Sequence, residues 1–130
     1  MNALTETDLA SPSLSPVALT LRAEGLAVGI AALLSFEHLD GSWMLFALLI
    51  LSPDVLMLGY LRGQRQGALL YNMGHSYLGP IIVGGAAFWL ESVTIAHLAL
   101  IWITHIGLDR ALGYGLKYRS GFKDTHLGRV

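Results

Sequence analysis

Four long apolar stretches separated by short polar connections make up most of this chain. They cover residues 17–36, 43–61, 67–90 and 92–112. A helix needs roughly 20 residues to cross the hydrocarbon core of a bilayer, which is about 30 Å thick, so each stretch is long enough for one crossing. Short connections force consecutive helices to run antiparallel. The pattern therefore predicts an all-α polytopic membrane protein, with four transmembrane helices in an antiparallel bundle over residues 17–112.

The two ends of the chain differ from this apolar body. Residues 1–16 are polar, acidic and interrupted by Pro12 and Pro16, which predicts a flexible N-terminal tail. Residues 113–130 begin with a Gly-Tyr-Gly sequence typical of a helix end and form a predicted cytoplasmic or interfacial tail. The segment 125–128 either folds back under the bundle and covers its inner end, or belongs to a basic surface tail.

The composition supports a membrane location. Hydrophobic residues make up 54% of the 130 positions and charged residues only 13%, and the mean hydropathy of +0.57 is too apolar for a soluble domain of this length. The absence of cysteine excludes disulfides, thiolate nucleophiles and cysteine zinc sites. The basic residues form no run, so nucleic acid is not an expected partner. The expected partner is the lipid bilayer, with a homo-oligomer as the second candidate.

The positions of lysine and arginine predict the orientation in the membrane. The second connection carries Arg62 and Arg65, whereas the first and third connections carry only acidic residues and no Lys or Arg. The C-terminal tail carries four further cations, which are Lys117, Arg119, Lys123 and Arg129. Basic connections remain on the cytoplasmic side of a membrane. We therefore expect a multi-pass protein of the inner (plasma) membrane with both termini in the cytoplasm.

A proline lies in the middle of the second apolar stretch, followed at once by a carboxylate. Pro53 cannot donate its backbone hydrogen bond, so the helix should kink or break there and free a carbonyl one turn earlier. Irregular backbone at membrane depth is tolerated only when protein or a wet cavity surrounds it. The Pro53-Asp54 pair therefore predicts an internal polar site, with Asp54 facing a cavity.

The fourth apolar stretch carries an ionisable stripe. His97, Ile101, His105 and Asp109 follow one another at steps of four residues and share one helix face, while Arg110 points about 100° away. Asp109 can therefore accept a hydrogen bond from one ring nitrogen of His105 and leave the other nitrogen free. Ser42 and Ser92 are the predicted N-caps of the second and fourth helices.

Ionisable residues on all four stretches fall at similar depths. Counted from the cytoplasmic ends, one residue per helix lies roughly 10 to 12 Å inside the inner boundary at 1.5 Å per residue. These residues are Glu24, Asp54, His75 and His105. Asn72 and Asp109 lie about one turn nearer the cytoplasm. Polar groups in a bilayer are costly unless they pair, bind metal or meet water. Asp54, His75, His105 and Asp109 are therefore expected to converge.

Three interpretations of this polar layer remain open. The side chains form hydrogen bonds that only fix the register of the helices; or they hold a divalent metal (Zn, Fe or Mn) through Glu24, Asp54, His75 and His105; or they relay protons or bind a small molecule. The candidate acid–base residues are His105, Asp109 and Asp54.

Three motifs and the tail carry a resemblance to a known family. Residues 52–60 (SPDVLMLGY), 71–75 (YNMGH) and 105–118 (HIGLDRALGYGLKY), followed by THLG at 125–128, resemble a family of small bacterial integral-membrane proteins known only as a domain of unknown function. The resemblance covers about residues 20–128. It implies a compact four-helix membrane protein and brings no reaction with it. Asn72, Tyr60 and Arg110 lie in these motifs and are candidate ligand-binding residues, whereas Glu24 lies outside them.

Two functional classes are compatible with these observations. The first is a membrane protein whose His/Asp site carries out metal-dependent or acid–base chemistry on a membrane-associated substrate. The alternative is a non-catalytic bundle, transporter-like or partner-binding, in which the polar layer is structural. The sequence leaves open whether the protein is an enzyme.

Overall fold

Residues 14–130 are described by a computed structural model, and residues 1–13, most of the predicted N-terminal tail, lie outside the described part. The helical elements, in chain order, are α1 (Pro16–His38), α2 (Trp43–Leu49), a 3-10 segment (Ser52–Arg62), α3 (Gln64–His75), α4 (Leu78–Trp89), α5 (Val93–Leu112) and α6 (His126–Arg129). Serine hydroxyls accept hydrogen bonds at the N-termini of α1, α2 and α5, so the predicted caps Ser42 and Ser92 are confirmed.

Three helical stretches are long and apolar enough to cross a membrane. They are Pro16–His38, the combined stretch Trp43–Arg62, and Val93–Leu112. Their outward surfaces carry many exposed leucine and valine side chains, together with Ile30, Trp43 and Met44. Such an apolar surface is unfavourable in water and favourable against lipid tails. The chain is therefore an all-α, multi-pass membrane protein.

The third predicted crossing is not one helix. The stretch predicted as the third crossing, about residues 67–90, is divided in two, because α3 ends at His75 and α4 begins at Leu78, and each has 12 residues. Pro80 explains the break: it has no N–H to offer the carbonyl of Ser76, and its ring would clash with that carbonyl in a continuous helix. Ser76 is accordingly extended, with φ −94° and ψ 141°, and Pro80 takes its favoured place in a first helical turn.

The second predicted crossing changes its helix type at the proline. The α-helix ends at Leu49, and 11 residues from Ser52 onward form a 3-10 helix. The N–H of Asp54 donates to Leu51 O at 3.1 Å rather than to the carbonyl one residue earlier. A 3-10 run of this length is uncommon and often marks a functional segment. The predicted break at Pro53 is confirmed.

Helices α1 and α5 approach each other through glycines. A Cβ placed on Gly107 would lie 2.6 Å from the Cα of Gly29 and 2.7 Å from the carbonyl oxygen of Gly25. Gly25 and Gly29 form a GxxxG pair, the arrangement that allows transmembrane helices to pack backbone against backbone. This seam packs α1 closely against α5, the helix that carries His105 and Asp109.

The C-terminal segment folds back against the helices. Gly113 adopts a left-handed conformation with φ 95° and ends α5 as predicted. The chain then reverses, and Lys117 forms an antiparallel bridge with Thr125. The side chain of Asn72 holds this turn by accepting from Lys117 N at 2.7 Å and donating to Lys117 O at 2.8 Å. Leu127 is buried, so this segment is a packed element and not a free tail.

Candidate metal centre

Four ionisable side chains from three elements meet at one point. Asp54 lies on the 3-10 segment, His75 ends α3, and His105 and Asp109 lie one turn apart on α5. Each offers one nitrogen or oxygen atom, and these four atoms all lie within 4.8 Å of one another. Both histidines are buried, whereas the carboxylates are partly exposed. We call Asp54, His75, His105 and Asp109 the His/Asp cluster.

The backbone explains why these residues converge. The change to 3-10 geometry at Pro53 turns Asp54 inward, and the break after α3 leaves His75 at a helix end directly opposite. His105 and Asp109 share one face of α5 because they are four residues apart. Trp102 joins these elements, since its indole Nε1 donates to Gly74 O at 2.6 Å.

The distances inside the His/Asp cluster are nearly uniform. His75 Nε2 lies 3.1 Å from Asp54 Oδ1, 3.1 Å from His105 Nε2 and 3.4 Å from Asp109 Oδ2. His105 Nε2 lies 3.3 Å from both of these carboxylate oxygens. Five of the six separations among these four atoms therefore suit a cation held at about 2 Å by each ligand. The sixth, between the two carboxylate oxygens, is no more than 4.8 Å.

The hydrogen bonds of His75 fix its tautomer. Its Nδ1 donates to Tyr71 O at 2.9 Å, because a carbonyl oxygen only accepts. A neutral His75 therefore has a lone pair on Nε2, and this atom faces the cluster. The Tyr71 ring stacks on the imidazole at a centroid distance of 3.8 Å and an interplanar angle of 8°. A backbone carbonyl in this position is the usual outer partner of a metal-binding histidine.

The cluster contains more acceptors than donors. Two carboxylates and the lone pair of His75 converge, and with neutral rings only His105 Nε2 can carry a proton among them. Within residues 14–130, no lysine or arginine nitrogen lies within 4.0 Å of either carboxylate. Carboxylates that are removed from water need a compensating charge. A divalent cation or additional protons would supply it.

Arg110 supports the cluster without neutralising it. Its Nη2 donates to His75 O at 2.9 Å, and its Nη1 donates to Tyr114 O at 3.2 Å. Arg110 therefore contacts the beginning of the C-terminal segment and not Asp109. The guanidinium thus holds the carbonyl at the break after α3, and it connects that break to the C-terminal segment.

A cavity of about 300 Å³ leads to the cluster from the side of the C-terminal segment. Its lining consists of Asp54, Met57, Tyr71, Asp109, Tyr114, Lys117 and Phe122. Both carboxylates of the cluster face this space, whereas the histidines lie behind them. The predicted exposure of Asp54 to an internal cavity is confirmed. Burial lowers the pKa of the Lys117 ammonium, and the charge of Asp109 opposes that shift.

Glu24 does not join the cluster. It is exposed on α1 and lines a separate cavity of about 310 Å³ with Tyr77, Arg110 and His126. The physical reason is the glycine seam: α1 presents Gly25 to α5, and the preceding residue points about 100° away from that face. The structure therefore separates Glu24 from the other predicted metal ligands and adds Asp109 to them.

The two other candidate ligand-binding residues have different surroundings. Asn72 uses its amide to hold the backbone of Lys117, as described above. The Tyr60 ring packs edge-on against Phe122, and its buried hydroxyl has no hydrogen-bond partner within the described residues. His97, the outermost member of the ionisable stripe, contacts Leu39 O at 2.9 Å and lies outside the cluster.

The predicted roles of the two ring nitrogens of His105 also differ from the structure. Asp109 was predicted to contact one ring nitrogen and leave the other free, but both Asp109 and His75 approach Nε2. His105 Nε2 therefore faces Asp54, His75 and Asp109 together. An oxygen of Asp109 thus belongs to the group of atoms that could bind a metal. Sequence reasoning also missed Tyr71 and Lys117. The spacing of Tyr71, one helical turn before His75, was the available signal for the first.

The model of one protein family, described as Domain of unknown function (DUF4260), matches residues 18–130 of the chain. No curated protein and no solved structure matches the chain.

Proposed function

The chain belongs to this family of unknown function, and we propose from its site that the protein is a membrane metalloprotein. In this proposal the His/Asp cluster holds one divalent cation, and the site serves acid–base or hydrolytic chemistry on a membrane-associated substrate. The observation that carries the proposal is the set of five distances of 3.1–3.4 Å among donor atoms from three different elements. Hydrogen bonding alone does not require three acceptors to surround the single N–H that His105 can offer.

Zinc is the cation that fits these donors best. Two imidazole nitrogens and two carboxylate oxygens are ligands that suit Zn²⁺, whereas Fe²⁺ and Mn²⁺ usually take more ligands than the four present here. The cation would balance the two carboxylates, and a substrate oxygen in the cavity would reach it as a fifth ligand. The two histidines would hold the cation from the buried side. Asp54 is the most exposed member of the cluster, and its second carboxylate oxygen, which would not bind the cation, can accept a proton from a group in the cavity.

The proposal includes four crossings with both termini in the cytoplasm. Helices α3 and α4 follow each other and would together form the third crossing, since the break between them is shielded by protein. The distribution of Lys and Arg supports this orientation. Cysteines introduced at Ser42 and Ser120 test it by labelling in intact cells. Ser42→Cys should react with an impermeant reagent from outside and Ser120→Cys only after permeabilisation, and reaction of both from one side would contradict four crossings.

Metal content of the purified protein tests the site directly. The protein, extracted in detergent without chelators, should contain about one equivalent of zinc by mass spectrometry. His75→Ala and His105→Ala should each lose the metal. His97→Ala is the matched control, because His97 lies on the same helix as His105 but outside the cluster, and it should retain the metal. A metal-free wild type that cannot be loaded with added zinc would refute the proposal.

A second candidate is a proton relay without metal. It is favoured by the contact between His75 Nε2 and Asp54 Oδ1, because 3.1 Å is an ordinary hydrogen-bond distance when the His75 ring is protonated on both nitrogens. His105→Gln distinguishes the two candidates, since glutamine keeps a donor and an acceptor but does not titrate. A relay predicts an intact fold and the loss of any pH-dependent activity. A metal site predicts loss of bound metal in the same variant.

A further inference from the structure

A buried lysine lines the cavity that leads to the His/Asp cluster. Lys117 is 7% exposed, although an ammonium is among the groups that are most costly to bury. Its Nζ donates to Phe122 O at 2.7 Å and lies 3.7 Å from the centroid of the Phe122 ring and 4.5 Å from that of Tyr71. Within residues 14–130, no carboxylate lies within 4.0 Å of this nitrogen. The ammonium has aromatic and carbonyl partners but no close counter-ion.

The surrounding fold holds this side chain in place. The backbone of Lys117 is fixed on one side by the amide of Asn72 and on the other by the bridge to Thr125. A solvated tail lysine would need neither constraint. The backbone of the C-terminal segment is therefore arranged so that one ammonium remains inside the cavity.

The charges around the cavity depend on the metal. With neutral histidines, Asp54 and Asp109 contribute two negative charges and Lys117 one positive charge, so the metal-free cavity is negative. A divalent cation balances both carboxylates and leaves the ammonium uncompensated. The cavity then favours an anion, and it does so only when the metal is bound.

We propose that this cavity binds a phosphate group between the metal and the Lys117 ammonium, an inference that rests on the metal centre proposed above. Apolar side chains of Met57, Tyr114 and Phe122 complete the lining, so the molecule that carries the phosphate has an apolar part. The cavity opens beside the inner end of α5, where anionic headgroups lie in the proposed orientation. The phosphate belongs either to a lipid headgroup or to a small water-soluble ester.

Cobalt-substituted protein tests this proposal. Tetrahedral Co²⁺ absorbs visible light, and its spectrum changes when a new ligand approaches. Inorganic phosphate should change the spectrum of the wild type in a saturable way. Lys117→Met should bind cobalt as the wild type does. The phosphate concentration needed for the spectral change should rise about tenfold or more, because a charge-assisted contact is lost. Lys123→Met, which removes an exposed cation from the same segment, is the matched control and should behave as the wild type.

The outcomes separate the two proposals. If the wild type does not take up cobalt, the metal centre itself is wrong. If cobalt binds but phosphate changes nothing, or if Lys117→Met binds phosphate as tightly as the wild type, the phosphate site is wrong and the metal centre stands. Lys117→Arg keeps the charge and should retain phosphate binding, which excludes a folding defect as the cause of the loss.

The source of the phosphate follows from a competition experiment. The cobalt protein is placed in nanodiscs of phosphatidylcholine, with or without phosphatidic acid. If phosphatidic acid raises the concentration of inorganic phosphate needed for the spectral change, the site takes a lipid headgroup. If it has no effect while inorganic phosphate still binds, the site takes a water-soluble phosphate.

Discussion

Replacing Gly107 with alanine tests the glycine seam between α1 and α5. The added Cβ would lie 2.6 Å from both the Cα and the N of Gly29, whereas ordinary van der Waals contacts begin at 3.4 Å. The two helices must therefore separate by about 0.8 Å at this point, since the atoms in the way are backbone and cannot rotate aside. Overpacking of this kind typically costs about 1–3 kcal/mol.

The expected result is a clear loss of thermal stability with retention of the His/Asp cluster. Helix α1 contributes no residue to the cluster, so α1 can move outward while α5 keeps its place against α4. Thermal unfolding in detergent, followed by circular dichroism, measures the first effect, and metal content measures the second. Gly85→Ala is the matched control, because its Cβ meets nothing within 4 Å. Removing a helical glycine there should raise stability by up to about 1 kcal/mol.

Two results would refute this reasoning. If Gly107→Ala is as stable as Gly85→Ala, the two helices are not in backbone contact. If Gly107→Ala loses metal while it remains folded, α5 moves instead of α1, and the cluster depends on the seam directly.

Three further predictions concern the inner end of the protein. Burial, reinforced by the charge of Arg110, keeps the pKa of the His126 imidazole below its ordinary value. The packed C-terminal segment therefore favours the neutral ring. The packing of this segment should be complete above about pH 6.5 and be lost as the pH falls below that value. Limited proteolysis between pH 5 and 8 should show this increase in cleavage, and His126→Asn should remove the pH dependence. Asn72→Ala removes both hydrogen bonds to the backbone of Lys117 and should cost about 1–3 kcal/mol, with faster cleavage of the segment at neutral pH; cleavage at the wild-type rate would contradict the assigned contact. Tyr60→Phe removes a buried hydroxyl that has no hydrogen-bond partner among residues 14–130. It should leave thermal stability unchanged or raise it by about 1 kcal/mol, whereas a marked loss would indicate an additional partner for that hydroxyl.

The sequence was sufficient for those parts of the fold that depend on local chemistry. The serine caps, the helix end at Gly113 and the break at Pro53 all follow from the preferences of one or two residues. The break between α3 and α4 follows from the same proline rule, because Pro80 removes the bond to Ser76. Pro80 and the glycines around it indicate bending in this stretch, but they do not by themselves predict its division into two helices.

The site was less accessible to sequence reasoning because it depends on rotation as well as depth. Counting residues along each helix placed Glu24 level with Asp54, but depth does not determine which face of α1 meets α5. The glycine seam determines that face, and it turns Glu24 away. The role of Lys117 also required the structure, since only the reversal of the chain brings this residue over the cavity.

The distribution of the four cluster residues along the chain has a consequence for how the protein is made. Asp54 and His75 lie in segments that leave the ribosome and enter the membrane before α5, whereas His105 and Asp109 both lie on α5. Until this helix arrives, Asp54 and His75 have only each other as partners within the cluster. The nascent protein must therefore shelter an incompletely neutralised carboxylate during insertion, and α5 closes the membrane domain and the site in one step.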